Sequence, residues 1–348
     1  MTTTYPDSST KTFGYDANSN LTGWTDAQGT WARAYDADNR VTSESLGGAT
    51  LVSSTYDATG KKGLLSTLTD SGSRAITYSY TSRNQLYQVS ESAGTTTYSY
   101  DNDGNETGIA NPNSTTVTKV YDAENQLTSV TNKNSSNTTL SSFAYVYNDD
   151  GLRTSCTEAN GDVVSYGYDA AHRLTSESRG GTNSYSKSYT LDGVGNRTAQ
   201  SVGGTSTSFT YSNDDELTAT SGGFTNSYSY NANGEQTGRT LSGTAYSLSF
   251  DYDGQLTQIA QGNNTTGFAY DATGRRYSRT AGGTTTTFQY AGSQVLLEKQ
   301  GSTTTATYTY GNALIRKDGE VPMFDGLGSE STVTDSTQAV TGTLTTEG

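Results

Sequence analysis

The chain has 348 residues, with 35 Asp and Glu against 21 Lys and Arg, a net charge of −14. That balance disfavours nucleic acid as a partner, and the single cysteine, Cys156, leaves no internal disulfide and no cysteine-based metal cluster. Leu, Ile, Val and Phe supply only 48 residues, few enough for disorder to compete with folding, but 26 Tyr, three Pro and a modest charge for this length oppose disorder.

The first residues, Met1 to Lys11, contain no basic region followed by an apolar stretch, so no signal peptide is read there. Residues 1–12 are a lead-in. No apolar run anywhere is long enough to span a membrane. From Phe13 onward an aromatic anchor recurs at Tyr15, Tyr35, Tyr56, Tyr80, Tyr100, Tyr121, Tyr147, Tyr168, Tyr189, Tyr211, Tyr230, Phe250, Tyr270, Tyr290 and Tyr310. The gaps run from 19 to 26 residues, most of them 20 or 21. A fixed period means one small unit repeated, each too small to bury its own face.

The columns around the anchor define the unit. A second aromatic stands two residues before it in ten copies, as in Tyr78-Ser79-Tyr80 and Phe268-Ala269-Tyr270, which puts both rings on one face of a strand. The residue after it is Asp in eight copies, and Asn, Ser or Thr in five more, which starts a turn. Four residues on, Gly, Asn, Asp or His fills 12 of 15 copies, the types that tolerate positive φ. Leu or Val at the sixth position begins the next strand, as at Leu21, Val41, Leu127 and Leu256. Glycine pairs such as Gly47-Gly48, Gly203-Gly204 and Gly282-Gly283 fall midway between the outgoing strand and the next aromatic pair and fit hairpin turns. Each unit therefore reads as two strands and two turns, and no helix is predicted.

Fifteen units of two strands spaced ~4.8 Å make a sheet ~140 Å wide. Open sheets rarely exceed ~10 strands without curling. Rolled once, the strip would be ~45 Å across, too wide for its own side chains to fill. A coiled, hollow wall with tyrosine as its main apolar mass is expected, and compact packing into two sheets is the alternative.

The segments Tyr15-Asp16-Ala17-Asn18, Tyr35-Asp36-Ala37-Asp38, Tyr121-Asp122-Ala123-Glu124 and Tyr270-Asp271-Ala272-Thr273-Gly274-Arg275 resemble YD repeats. These are the repeats of bacterial RHS proteins, wall-associated proteins, BC components of insecticidal toxin complexes, and teneurins. The resemblance runs from about residue 13 to the end: fifteen repeats over 13–310, then a segment, 311–348, in which Phe324-Asp325-Gly326-Leu327-Gly328-Ser329 is similar to the end of the RHS core. It departs at Glu330, where relatives often carry a basic residue, and the aspartyl self-cleavage motif and toxin domain expected further on are not in these residues. Both ends read as cuts through a longer protein. The resemblance implies hairpins wound as a left-handed spiral into a hollow shell around a polypeptide cargo, and a secreted or cell-surface bacterial location.

Local chemistry is weakly signalled. Asp101-Asn102-Asp103-Gly104-Asn105 and Asp149-Asp150-Gly151 look like calcium loops, but no Glu closes either, and both sit in the turn columns. His172, the only histidine, occupies the positive-φ slot after Tyr168, so a backbone role is expected rather than catalysis. No serine stands in a nucleophile context, Cys156 reads as a small strand side chain, and no pair of carboxylates stands out from the repeat. No catalytic residue, cofactor or metal site is assigned. The expected role is structural: an all-β array of antiparallel hairpins forming a shell wall around a polypeptide. A surface adhesin whose tyrosines stack on glycans is the alternative, a carbohydrate-active β-solenoid enzyme stands below it, and end-to-end self-association through open strand edges accompanies any of these.

Overall fold

The structure, a computed structural model, describes residues 1–57 and 63–343. Among them are 34 strands, and the only regular secondary structure is β. From Thr2–Thr4 to Leu314–Lys317 every strand pairs antiparallel with its neighbours in sequence, giving one uninterrupted 31-stranded meander. The last three strands, Val321–Phe324, Glu330–Thr334 and Val340–Thr343, form a separate small sheet of the same kind.

The period sits in the backbone as well as in the side chains. In every copy the strand register slips by one residue immediately before the anchor: Gly14 faces Gly23 but Tyr15 faces Leu21, and Ser99 faces Gly108 but Tyr100 faces Glu106. Such a bulge bends the strand and increases its twist. The slip corrects one anchor. It falls between Thr190 and Leu191, so Leu191 takes the slot and Tyr189 lies two residues before it, in the column of the second aromatic. The sequence period pointed to Tyr189 because this unit has a leucine where its neighbours have a tyrosine. Bulge and turn recur twice more beyond Tyr310, at Phe324-Asp325 and Thr334-Asp335.

The hairpin turns follow the glycine pairs. Gly203 and Gly204 have φ of 55° and 84°, the double positive φ of a tight turn that matches strand twist. The turn after Tyr56 lies largely outside the described residues.

Alternation gives the wall two faces. The residue just before the anchor is exposed in eleven of the twelve copies up to Ser249 and is mostly Ser, Thr, Gly or Ala. The anchor itself is half-buried in all copies but the first, Tyr15, which is exposed. The polar column becomes covered only late: Ala269 and Gln289 are half-buried, and Thr309 is 2% exposed. Here the strip passes over its own beginning. Leu296, Leu297 and Ile315 join Val52, Leu68, Ile76, Val89 and Tyr98 in one buried cluster. Thr309, from the polar column of the later strands, donates to Glu91 at 2.6 Å. Glu91 shares the face of Val89, which stands opposite Tyr78, so the second winding lies on the aromatic side of the first. The aromatic face is therefore the inner face.

The separation between residues that meet across windings falls from 248 at Tyr5 and Asp253 to 181 at Tyr145 and Gly326. The strip thus makes about one and a half tightening windings, a coiled wall rather than one closed roll. At ~20 strands per winding and ~4.8 Å per strand the wall is ~30 Å across. Its accessible surface is 18034 Å², whereas a compact monomer of 36.8 kDa exposes roughly 13,600 Å². The excess is what an open wall, exposed on both faces over much of its length, produces. Small-angle scattering is expected to give a radius of gyration clearly above the ~20 Å of a compact chain of this length; a value at that limit would contradict the open form.

Candidate functional site

The inner face carries the anchor of every repeat, so it is the candidate site. Its first component is the anchor hydroxyl. Tyr35 donates to the carbonyl of Leu21 at 2.9 Å, Tyr56 to Val41 at 2.8 Å, Tyr80 to Leu65 at 2.9 Å and Tyr100 to Leu86 at 2.8 Å. The same bond is made by Tyr121, Tyr147, Tyr168, Tyr211, Tyr230, Tyr270 and Tyr290. In each case the acceptor is the residue that opens the outgoing strand of the preceding repeat. The ring packs and the hydroxyl clasps the neighbouring unit, satisfying the polar tip of a half-buried tyrosine.

The second component is the turn. Asp16 accepts from the backbone N–H of Asn18 and Asn20, each at 2.9 Å, and Asp36, Asp122, Asp169 and Asp251 do the same for their own turns. The residue at the fourth position has positive φ: 67° at Ser19, 61° at Asn39 and 60° at His172. His172 is exposed on this rim, its Nε2 3.7 Å from Asp150. In the calcium-like segment, Asp101 accepts from the N–H groups of Asp103, Gly104 and Asn105 at 2.8–3.0 Å, so its carboxylate is committed to the turn. No three of His, Cys, Asp and Glu converge among the described residues.

Two clefts indent the inner face. One of about 450 Å³ lies between Tyr145, Tyr166, Tyr168, Arg153, Cys156 and the Asp325–Ser329 turn of the second winding. Arg153 lies over the Tyr145 ring at 3.8 Å. Burial pushes the Cys156 thiol up to about 11 and the Tyr166 phenol up to about 12, so both stay protonated at neutral pH. The other, about 430 Å³, lies between Tyr98, Ile109, Val117, Leu127 and Met323. Neither cleft pairs an activated nucleophile with a base.

The third component is the seam between windings, which the sequence did not disclose. Glu91 takes Arg74 at 3.3 Å and Arg316 at 2.9 Å, while Arg74 also donates to the Tyr308 carbonyl at 2.9 Å. Arg275 bridges Asp271 and Glu44, each at 2.7 Å, against the stacked rings of Trp24 and Trp31. Lys11 and Tyr5 both reach Asp253. Further along, the contacts turn neutral: Asn113 to Thr334 at 3.1 Å, and the Gly326 N–H to the Tyr145 hydroxyl at 2.6 Å. Among the described residues no backbone-to-backbone hydrogen bond crosses between windings.

Known families match this pattern in two stretches. The RHS Repeat family matches residues 15–50 and 147–184, and the Teneurin YD-shell family matches residues 44–142. The chain is an RHS/YD-repeat protein. None of the curated proteins matches it. Among solved structures, TcdB2-TccC3 without its hypervariable C-terminal region shares the fold over 97% of this RHS/YD-repeat chain, with a TM-score of 0.65 at 15% identity. Complete TcdB2-TccC3 gives a TM-score of 0.64 at 15% identity over 95% of the chain, and TcdB2-TccC3-Cdc42 gives 0.60 at 13% over 98%. The chain spans only 21–24% of the length of those proteins. The hairpin sheet of this RHS/YD-repeat protein is thus the fold of the TcdB2-TccC3 shell.

Two outcomes follow from the clasp and the turn. Tyr230→Phe removes the bond to Leu217, at 2.9 Å, and is expected to cost about 1 kcal/mol in denaturant unfolding, whereas Tyr15→Phe, at an exposed ring, should be silent. The carboxyls of Asp36, Asp101 and Asp169 are held below their usual range by the Arg40 side chain, the Asn105 side chain and the Arg173 backbone N–H respectively. A folded value below the unfolded ~3.9 contributes stability that is fully present above that pH and is lost as pH falls through the folded values. Urea titrations should therefore show a loss of stability setting in below about pH 4. Asp169→Asn should reduce that slope, since Asn148 already holds the equivalent turn at 2.9 Å.

Proposed function

We propose that this chain is a length of shell wall that segregates a polypeptide from its surroundings. The observation that carries the reading is the overlap: a single strip winds past its own start with its aromatic face inward. The role is steric and uses no catalytic residue, in keeping with matches to repeat families alone. The likeness to the TcdB2-TccC3 fold supports a cargo of toxin type, encoded in a longer version of the chain or beside it, and a secreted or cell-surface bacterial location. The glycan-binding alternative draws less support, because eleven anchor hydroxyls already donate their proton to backbone carbonyls and have none left to give a sugar.

Limited proteolysis of the full-length gene product tests the reading. The cargo should resist protease in the intact protein and become sensitive in an Arg74→Gln, Glu91→Gln variant, whose seam has lost its ionic node. Cargo digested equally fast in both proteins would sink the proposal.

A further inference from the structure

The sixth column of the repeat, usually Leu or Val, holds arginine at Arg153 and, in later repeats, at Arg197 and Arg276. Each of the later two stacks its guanidinium on an inner-face ring: Arg197 over Phe209 at 4.7 Å and Arg276 over Phe288 at 4.9 Å. Arg239 stands between its cross-strand neighbours Tyr228 and Tyr246, 5.3 Å from the latter ring. Arg279 stands opposite Phe268 on the same face. The strands from Arg197–Val202 to Thr284–Ala291 carry these four arginines and no Asp, Glu or Lys. Every acidic residue in that stretch lies in the turns at the rim. The chain is strongly acidic overall, yet this stretch sorts its charge: carboxylates to the edge, cations to the inner face.

These cations are unmatched. Among the described residues none of the four makes an ion pair or a side-chain hydrogen bond, and the Nε of Arg239 is buried without a partner. The late winding that covers the early repeats leaves this stretch open, and Arg197, Arg276 and Arg279 are exposed. A guanidinium held over a ring face makes no hydrogen bond to it, which leaves its N–H fork for a carboxylate.

We propose that the inner face between Arg197 and Ala291 binds an extended acidic polypeptide. Arg197, Arg239 and Arg276 fall on every fourth strand, strands ~19 Å apart, with Arg239 set three residues further along its strand than the other two. An extended chain running across the strands at ~3.3 Å per residue meets one arginine about every six residues. The ligand is thus a segment with Asp or Glu at roughly six-residue intervals, its apolar or small residues resting on the intervening tyrosines. This names the partner of the wall and rests on the shell reading for the source of that partner, the enclosed cargo.

The test uses the 348-residue chain and a fluorescent peptide of Gly, Ser and Thr with Glu at every sixth position, followed by anisotropy. The Glu peptide should bind, and its Lys counterpart should not. Binding should weaken as salt rises, and by about tenfold in the Arg197→Gln, Arg276→Gln variant. Both positions are exposed, so an unchanged melting curve is expected to accompany the loss. Equal binding of the Lys peptide, unchanged affinity in the variant, or binding of a uronic-acid polysaccharide but neither peptide would overturn the proposal. Peptide binding without protease-protected cargo in the full-length product would remove the shell reading and leave this surface standing. Protected cargo without peptide binding would do the reverse.

Discussion

The wall depends on one hydrogen bond, from a tyrosine hydroxyl to the backbone carbonyl that opens the outgoing strand of the preceding repeat. A unit of about 21 residues has too little Leu, Ile and Val to close a core of its own. Tyrosine solves the shortage because its ring supplies apolar area while its hydroxyl reaches a main-chain acceptor. The acceptor is backbone, so the clasp does not care which side chain stands at that position: Leu21, Glu106, Arg153 and Arg276 all serve. That indifference leaves the sixth column free to vary, and Arg197 and Arg276 occupy the freedom.

Where the clasp is missing, other contacts take over. Leu191 and Phe250 hold the anchor slot without a hydroxyl, yet the bulge and the turn persist around both. The aspartate turn and the tyrosine clasp are therefore separable devices, one shaping the rim and the other joining neighbours. The seam is of a third kind. Its buried Glu91 and Glu44, each sharing two arginines, are better suited to fixing how the windings register than to adding net stability.

Much of this was legible in the order of residues. The alternation of Tyr78, Ser79 and Tyr80 fixed which side chains share a face, and the placement of Asp, Asn and His172 fixed the turn, because both are local consequences of backbone geometry. The bulge was not legible, since a one-residue slip leaves no compositional trace, and it moved one anchor from Tyr189 to Leu191. The seam was out of reach for a different reason. Arg74 and Thr309 lie 235 residues apart, and no period within the repeat says how many strands complete a winding. Strand count and twist per strand accumulate over the whole strip, so a small error per repeat becomes a large error in which residues meet.

The seam, with a side chain in each of its hydrogen bonds, also sets an order of assembly. Every strand after the first except Val321–Phe324 pairs with its immediate predecessor, so the strip consists of sequence-local contacts that form quickly and can grow from one end as the chain is made. The contacts between windings join residues some two hundred positions apart and form only after both strips exist. A wall built in this order lengthens strand by strand while it is being made and overlaps itself last.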